Sequence, residues 1–297
     1  MEEDNRGDWE LSDEELIKKY DIRPDVLTFD DVAKMVPKLT NHKKLVNRLL
    51  HFLKIDEVNR VHGRWSGTPG AKFVQHLVED DFKYKMVVDN AEILERFKEG
   101  PFITVSNHPF GAADGITLIY LLTRLRPDFK VVVNYFLSHL SAMRPNFISV
   151  DAWSVDPKKR SISINGIREV MRQIRGGHPI GFFPAGAMSK TDWHGRLEDR
   201  EWQKSVLEII AKVNVPVIPI FFHGSNSWFF NFLGHACWPA RSARLPIELF
   251  KKRGKVMHVS IGEPIMPDKQ KEFKGNTEAL GHYLREQTYS LREKYGK

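Results

Sequence analysis

A histidine and an aspartate, His108 and Asp114, stand six residues apart in the stretch SNHPFGAADG, residues 106–115. An apolar run, Ile103 to Val105, precedes them and another begins at Ile116, so the pair falls between a strand end and a helix start. A neutral imidazole can accept a proton near pH 7 and return it later. A carboxylate folded back onto that ring would fix its tautomer and stabilise the imidazolium as it forms. Gly111, Ala112 and Ala113 lie between the two and make room for a tight turn. The first turn of the following helix would also offer backbone N–H groups to an oxyanion or phosphate. No GxSxG nucleophile elbow is present. The chemistry suggested is therefore a base acting directly on a substrate hydroxyl, with no covalent enzyme intermediate. The pair also has a purely structural reading, in which Asp114 caps its helix.

Such a pair needs a frame. Apolar runs at FITVS, KVVVNYFL, HPIGFF, VPVIPIFFHG and GKVMHVSIGEPI read as strands. Between them, DGITLIYLLTRLR, SISINGIREVMRQIRGG and DREWQKSVLEIIAKVN carry helical periodicity, the first predicted to stop at Pro127 and the second at its two glycines. Strand alternating with helix predicts an α/β fold with a largely parallel central sheet flanked by helices. In such sheets ligands bind where strands end and helices begin. Three junctions share small-residue loops: SNHPFGAADG, FFPAGAMSK at 182–190 and PVIPIFFHGS at 216–225.

Ahead of that frame lies a helical N-terminal extension, residues 1–68, before an α/β domain at 69–297. It opens with two expected capping boxes, Ser12 with Glu15 and Thr28 with Asp31. Residues 69–99 predict two further helices around a short strand at KMVVDN. In residues 41–55, Leu45, Val46, Leu49, Leu50 and Leu53 share one helical face, with Lys43, Lys44, Arg48, His51 and Lys54 opposite. That stripe fits a helix packed on the core or one lying in an anionic membrane interface.

Composition narrows the classes. The 297 residues carry a net charge of +7, but residues 1–37 hold twelve acids against five bases, leaving the rest at about +14. A basic body attracts nucleic acid, anionic membrane or acidic carrier proteins. The absence of zinc-finger spacing, RNA-binding aromatic motifs and helix-turn-helix signals argues against nucleic acid. The lone Cys237 excludes an intrachain disulfide and reads as a packed small side chain rather than a nucleophile. No transmembrane run or secretory signal is expected, which predicts a cytoplasmic protein. His139, His178 and His223 lack metal-ligand spacing with His108, so no metal is expected. The cluster Trp228, Phe229, Phe230, Phe232 and Leu233 reads equally as core or as an apolar entry surface, with Arg241, Arg244 and Lys251 to Arg253 placed to meet lipid head groups.

The ordered set NHPFGAADG, FFPAGAMSK and VPVIPI, with matching flanks such as GSNSWFFNFLGH, resembles the phospholipid/glycerol acyltransferase superfamily. It is most similar to the hemolysin-like branch that includes lyso-ornithine-lipid O-acyltransferases. The resemblance implies that His108 is the general base and Asp114 its partner. It implies transfer of a fatty acyl group from acyl carrier protein or coenzyme A, as co-substrate with no bound cofactor, to the hydroxyl of a lysolipid. Asn107 would shape the turn and, with Phe110 and Gly111, bind substrate. Phe183, Pro184, Ala185 and Gly186 would line the acceptor site with Ser189 and Lys190 nearby, and the strand from Val215 to Ile220 would support its floor. Acyl carrier protein and the anionic inner face of the cytoplasmic membrane would be partners. The superfamily's usual Phe-Pro-Glu-Gly-Thr-Arg-Ser has Ala185 in place of its Glu and Met188 in place of its Arg. The arginine that usually closes the second motif is absent from FISVDAW, although Lys158, Lys159 and Arg160 follow. Those losses imply an acceptor other than lysophosphatidic acid, such as an N-acyl amino-acid lipid. The competing readings are a thioester hydrolase using the same pair and a membrane-active protein without catalysis.

Overall fold

The computed structural model describes residues 6–150, 157–192 and 194–295, with backbone only for 157–163. Both predicted capping boxes form. Ser12 opens α1 (Asp13–Tyr20), exchanging hydrogen bonds with Glu15, and Thr28 opens α2 (Phe29–Met35) with Asp31. Next come α3 (Lys43–Phe52), α4 (Ile55–Trp65) and α5 (Ala71–His76), the last running on into a π turn at Leu77–Asp81.

The central sheet has seven strands: β1 (Lys85–Asp89), β2 (Ile103–Ser106), β3 (Lys130–Asn134), β4 (Phe147–Val150), β5 (Ile180–Phe182), β8 (Val217–His223) and β9 (Val256–Ile261). A small hairpin, β6 (Lys190–Thr191) and β7 (Leu197–Glu198), stands apart. The order is β1-β9-β8-β2-β5-β3-β4, and every neighbouring pair is parallel except β8 with β9. The sheet is thus mixed α/β and largely parallel, as the alternation predicts.

Strand β2 is buried along its whole length because both faces are covered. On one face, α6 (Ala112–Thr123) presses Leu118, Ile119 and Leu122 into a cluster with Phe102, Ile218 and Phe222. Those three side chains have no exposure, and each such burial contributes about 1.5–3 kcal/mol. Val61 of α4 belongs to that same cluster, so the helical extension packs into the main core. Helices α7 (Pro157–Arg175), α8 (Lys204–Val213) and α13 (Thr277–Tyr295) bury Val170, Ile210, Leu280 and Leu284 against Ile103 and Val105 on the other face. Three short helices, α9 (Trp228–Ala236), α10 (Trp238–Ala243) and α11 (Leu245–Phe250), follow β8, and α12 (Pro267–Lys271) follows β9. Helix α6 stops at Thr123, four residues short of Pro127. Among the described residues no helix is long and apolar enough to cross a membrane.

The expected apolar stripe on α3 divides. Val46 is buried and Leu50 and Leu53 are half-buried, while Leu45 and Leu49 are 50% and 48% exposed; Phe52, outside the expected stripe, is 67% exposed. Phe230 of α9 likewise enters the core region, while Trp228, Phe229 and Phe232 stay outside. Cys237 is exposed, not packed as its type suggested, because it sits at the break between α9 and α10.

Candidate active site

The register sets the site. Val105 of β2 lies beside Phe182 of β5, and Ser106 beside Ile220 of β8. The loops after these strands therefore open at one edge of the sheet, and they are the three junctions singled out by sequence. His108 leaves the first loop with its Nδ1 3.0 Å from Asp114 Oδ2. Its ring is 18% exposed, whereas Asp114 is fully enclosed.

The carboxylate is held by the turn it helps to build. Asp114 Oδ2 accepts the N–H groups of Phe110 at 2.8 Å and Gly111 at 3.0 Å. This is a capping-box arrangement with Asp114 at the third helical position, so the structural and chemical readings of this residue coincide in one oxygen. The same two N–H groups are spent on Asp114 and are not open to a ligand. Burial raises the Asp114 carboxyl above the usual aspartate range, opposed by His108 and the two backbone donors. A hydrogen on Nδ1 does not point straight at Oδ2; catalytic contacts of this kind tighten when substrate seats.

Gly111 is required here. Its φ is +79°, and a Cβ would come within 2.8 Å of both Leu245 Cδ2 and Met188 Sδ. Met188, standing where the superfamily pattern has arginine, is buried and packs over this glycine. Ala185, standing where that pattern has glutamate, is buried in the core.

The backbone of His108 is clamped from both sides. Its carbonyl accepts the Ser189 N–H at 2.8 Å, and its N–H donates to Asp199 Oδ1 at 3.2 Å. Asp199 Oδ1 also accepts the Ser189 hydroxyl at 2.6 Å. Burial pushes the Asp199 carboxyl upward, with Ser189 and His108 opposing. Tyr289 on α13 accepts the Asp199 backbone N–H at 2.7 Å. Asp199 was not found by sequence. Its one signal is its place just after the hairpin that follows the FPAG junction.

Other named residues sort by what they touch. The Phe183 ring lies 4.2 Å from the His108 ring, centroid to centroid, and lines the open side. Asn107 is buried and clamps β8, donating to the Phe222 carbonyl at 2.9 Å and accepting its N–H at 2.7 Å. Phe110 packs beneath Lys252 Nζ, 4.6 Å from the ring centroid. The Pro184 carbonyl accepts the Gln203 N–H at 2.9 Å, and Gly186 adopts a φ of +62° in the same turn. Ser189 is spent on Asp199, and Lys190 begins the β6–β7 hairpin opposite Glu198. The structure thus brings His108, Asp114 and Phe183 to the open edge and places Asn107, Ala185 and Ser189 in the supporting frame.

A second brace, also missed by sequence, comes from beyond β8. Lys252 Nζ donates to Asn226 Oδ1 at 2.5 Å, and Asn226 Nδ2 donates to the carbonyls of Pro109 and Phe110, each at 3.3 Å. Three of the other basic residues read as head-group contacts, Arg244, Lys251 and Arg253, face acids of the chain itself. Lys251 and Arg244 lie 2.9 and 3.5 Å from Glu248, and Arg253 pairs with Glu57. The side chains of Lys158, Lys159 and Arg160 lie outside the described residues, as does the Asp151-Ala152-Trp153 end of the second motif.

Of the histidines considered beside His108, His178 pairs with Asp128 at 2.7 Å and His139 lies against Phe136. His223 is in a separate network, with Nε2 2.7 Å from Ser260 Oγ, while Asp89 Oδ2 accepts from Ser260 and contacts His258 Nε2, both at 2.6 Å.

A His–Asp pair on the loop after a parallel strand, clamped by a second strand-end loop, is an arrangement able to activate a hydroxyl for acyl transfer. The chain belongs to the acyltransferase family, whose pattern matches residues 31–296. Two relatives are lyso-glycine lipid O-acyltransferases. That of Bacteroides thetaiotaomicron is 28% identical over 239 residues, 78% of this chain and 82% of that one. That of Phocaeicola vulgatus is 28% identical over 228 residues, 74% of this chain and 78% of that one. Among solved structures, the 1-acyl-sn-glycerophosphate acyltransferase PlsC from Thermotoga maritima aligns with a TM-score of 0.49 at 17% identity, covering 86% of this chain and 90% of that one.

Proposed function

We propose that this acyltransferase moves a fatty acyl group from an acyl thioester, on acyl carrier protein or coenzyme A, to the hydroxyl of a monoacylated amino-acid lipid. The observation that carries the reading is the His108–Asp114 contact at 3.0 Å with the ring partly open on its other side. With Nδ1 turned to the carboxylate, Nε2 is the nitrogen left to meet substrate. It takes the proton of the acceptor hydroxyl as that oxygen attacks the thioester carbonyl. The tetrahedral intermediate collapses, the C–S bond breaks, and the imidazolium returns the proton to the departing thiolate. Asp114 stabilises the transient positive charge. The nearby Ser189 hydroxyl is committed to Asp199, which supports direct transfer over a serine-bound intermediate.

The acceptor class follows from two supports. The chain is similar to lyso-glycine lipid O-acyltransferases, and Met188 fills with apolar bulk a position where phosphate-ester enzymes of the superfamily pattern carry arginine. The exposed Leu45, Leu49 and Phe52 on α3, beside Lys43, Lys44 and Arg48, suit peripheral binding to an anionic membrane.

The test is an acyl-transfer assay with purified protein, an acyl thioester and a hydroxyacyl-glycine acceptor. A diacylated product is expected, and His108→Ala should lower its rate by about 10²–10⁴. Release of free fatty acid at a rate indifferent to the acceptor would refute the transferase reading in favour of hydrolysis.

A further inference from the structure

Arg241, on α10, has no exposed surface. Its Nη2 donates to the Ser189 carbonyl at 2.6 Å, while Nε and Nη1 are buried with no partner among the described residues. The rings of Phe230 and Trp238 lie 4.8 and 5.7 Å from the guanidinium carbon. Aromatic faces attract a cation but leave these two nitrogens without an acceptor. The charge that does reach Arg241 is another cation, Arg200, which stands 5.2 Å from the same Trp238 ring. Burial and that like charge draw Arg241 down to about 10.

A buried cation is costly unless an anion meets it. The other buried arginine among the described residues follows that rule: Arg126 forks onto Asp128 at 2.9 and 2.7 Å. Arg241 does not, yet it is joined to the reacting centre by two hydrogen bonds, its own to Ser189 and that of the Ser189 N–H to the His108 carbonyl. We propose that Arg241 anchors the carboxylate of the acceptor's head group, placing the acceptor hydroxyl at His108; this rests on the amino-acid-lipid reading above. One negative charge matches one guanidinium with no counter-charge among the described residues. Gly234 of α9 covers the site, with its Cβ direction 3.3 Å from Arg241 Nε, so α9 must shift to admit the head group. That helix turns Trp228 outward at 77% exposure, which gives a membrane surface a hold on the cover.

The test compares two acceptors, a hydroxyacyl-glycine and its carboxamide, with the same acyl thioester. The wild type should favour the carboxylate by on the order of 10² in kcat/KM, the usual scale for losing one partner of a buried charge pair. Arg241→Gln should bring that ratio to roughly 1, and Arg241→Lys should keep part of the preference. Arg241→Gln that slows both acceptors equally, leaving the ratio intact, would show only a pin for Ser189 and overturn the proposal. Equal wild-type use of the two acceptors overturns it even where the variants do not fold, and leaves the transferase reading standing. Acylation of neither acceptor overturns that reading and the proposal together.

Discussion

Asp114→Asn separates charge from geometry at this site. Asp114 Oδ2 alone faces His108 Nδ1 and both backbone donors. An asparagine carbonyl oxygen can take that place, since the flipped amide would set its N–H₂ against two N–H donors. The ring orientation and tautomer should therefore survive while the negative charge is lost. At the 3.0 Å separation, a unit charge pair at an effective dielectric near 20 is worth roughly 5 kcal/mol. The ring is partly exposed, so solvent screening reduces this to about 2–4 kcal/mol, or ~30- to 10³-fold in rate. The loss should fall on kcat, because the imidazolium exists only as the reaction proceeds. Stability should move the other way. Burial raises the folded-state pKa of Asp114 above the ordinary aspartate value. Between those two values the folded protein holds a proton that the unfolded chain has released, so wild-type stability falls as pH rises through that window. Asparagine has no such titration. The melting temperature of Asp114→Asn relative to wild type should therefore climb from acid to neutral pH. An active variant within about twofold of wild type would refute the electrostatic role assigned to this carboxylate. A melting difference that shrinks with rising pH would refute the raised carboxyl.

Asn107→Ala should leave the buried Phe222 N–H and carbonyl unpaired and cost about 2–4 kcal/mol, read as a lower urea midpoint at an unchanged slope. Asp199→Ala should release both the His108 N–H and the Ser189 hydroxyl; we expect a fall in kcat of roughly 10-fold or more with acceptor KM less affected, since misplacing a base costs rate before binding. Gly111→Ala should destabilise by more than about 1 kcal/mol, because it adds a Cβ at positive φ against Leu245 and Met188, and chemical denaturation will measure it. Leu49→Ser with Phe52→Ser should abolish sedimentation with anionic vesicles without lowering thermal stability, as both residues are exposed; unchanged vesicle binding would remove α3 from the membrane reading.

What the sequence disclosed depends on how local each determinant is. His108 and Asp114 were legible because one turn contains them both, with its glycine and the strand and helix that flank it. Strands β2 and β8 were legible because they are continuous apolar runs, as doubly covered parallel strands must be, whereas β4 and the short β6–β7 hairpin were not read. Helix α13 was not read, although Leu280, Leu284 and Leu291 carry the helical period along its buried side. The run through α9, α10 and α11 hid its breaks because it is apolar without period, and Trp238-Pro239 gives one of them only in hindsight. Asp199 was beyond reach: it is 91 positions from the backbone N–H it binds, and only the β6–β7 hairpin brings it back. The ion pairs of Arg244, Lys251 and Arg253 were not read because charge type names no partner. Glu248 already stood four residues after Arg244 and three before Lys251, spacings that favour pairing on a helix.

The two halves of the site are therefore built on different logic. The half proposed to transfer the proton is overdetermined. The turn carrying His108 is tied to β8 through Asn107, to the FPAG junction through Ser189, to the hairpin through Asp199, and to α11's end through Asn226 and Lys252. Removing any one tie leaves the others, which is how a ring can be kept in place while its own surface stays open. The acceptor half has no such redundancy. On the proposal above it lies beneath short helices that turn Trp228, Phe229 and Phe232 outward, and Arg241 meets no counter-charge among the described residues. A frame so fixed around the base and so incomplete around the head group implies that substitutions should separate cleanly. Changes at Asn107, Ser189 or Asp199 should alter turnover for every acceptor alike, while changes on α9 and α10 should alter which acceptor is used. Acceptor panels run on Asp199→Ala and Phe232→Ser would distinguish the two halves, and a shift in acceptor preference in the first with none in the second would overturn this division.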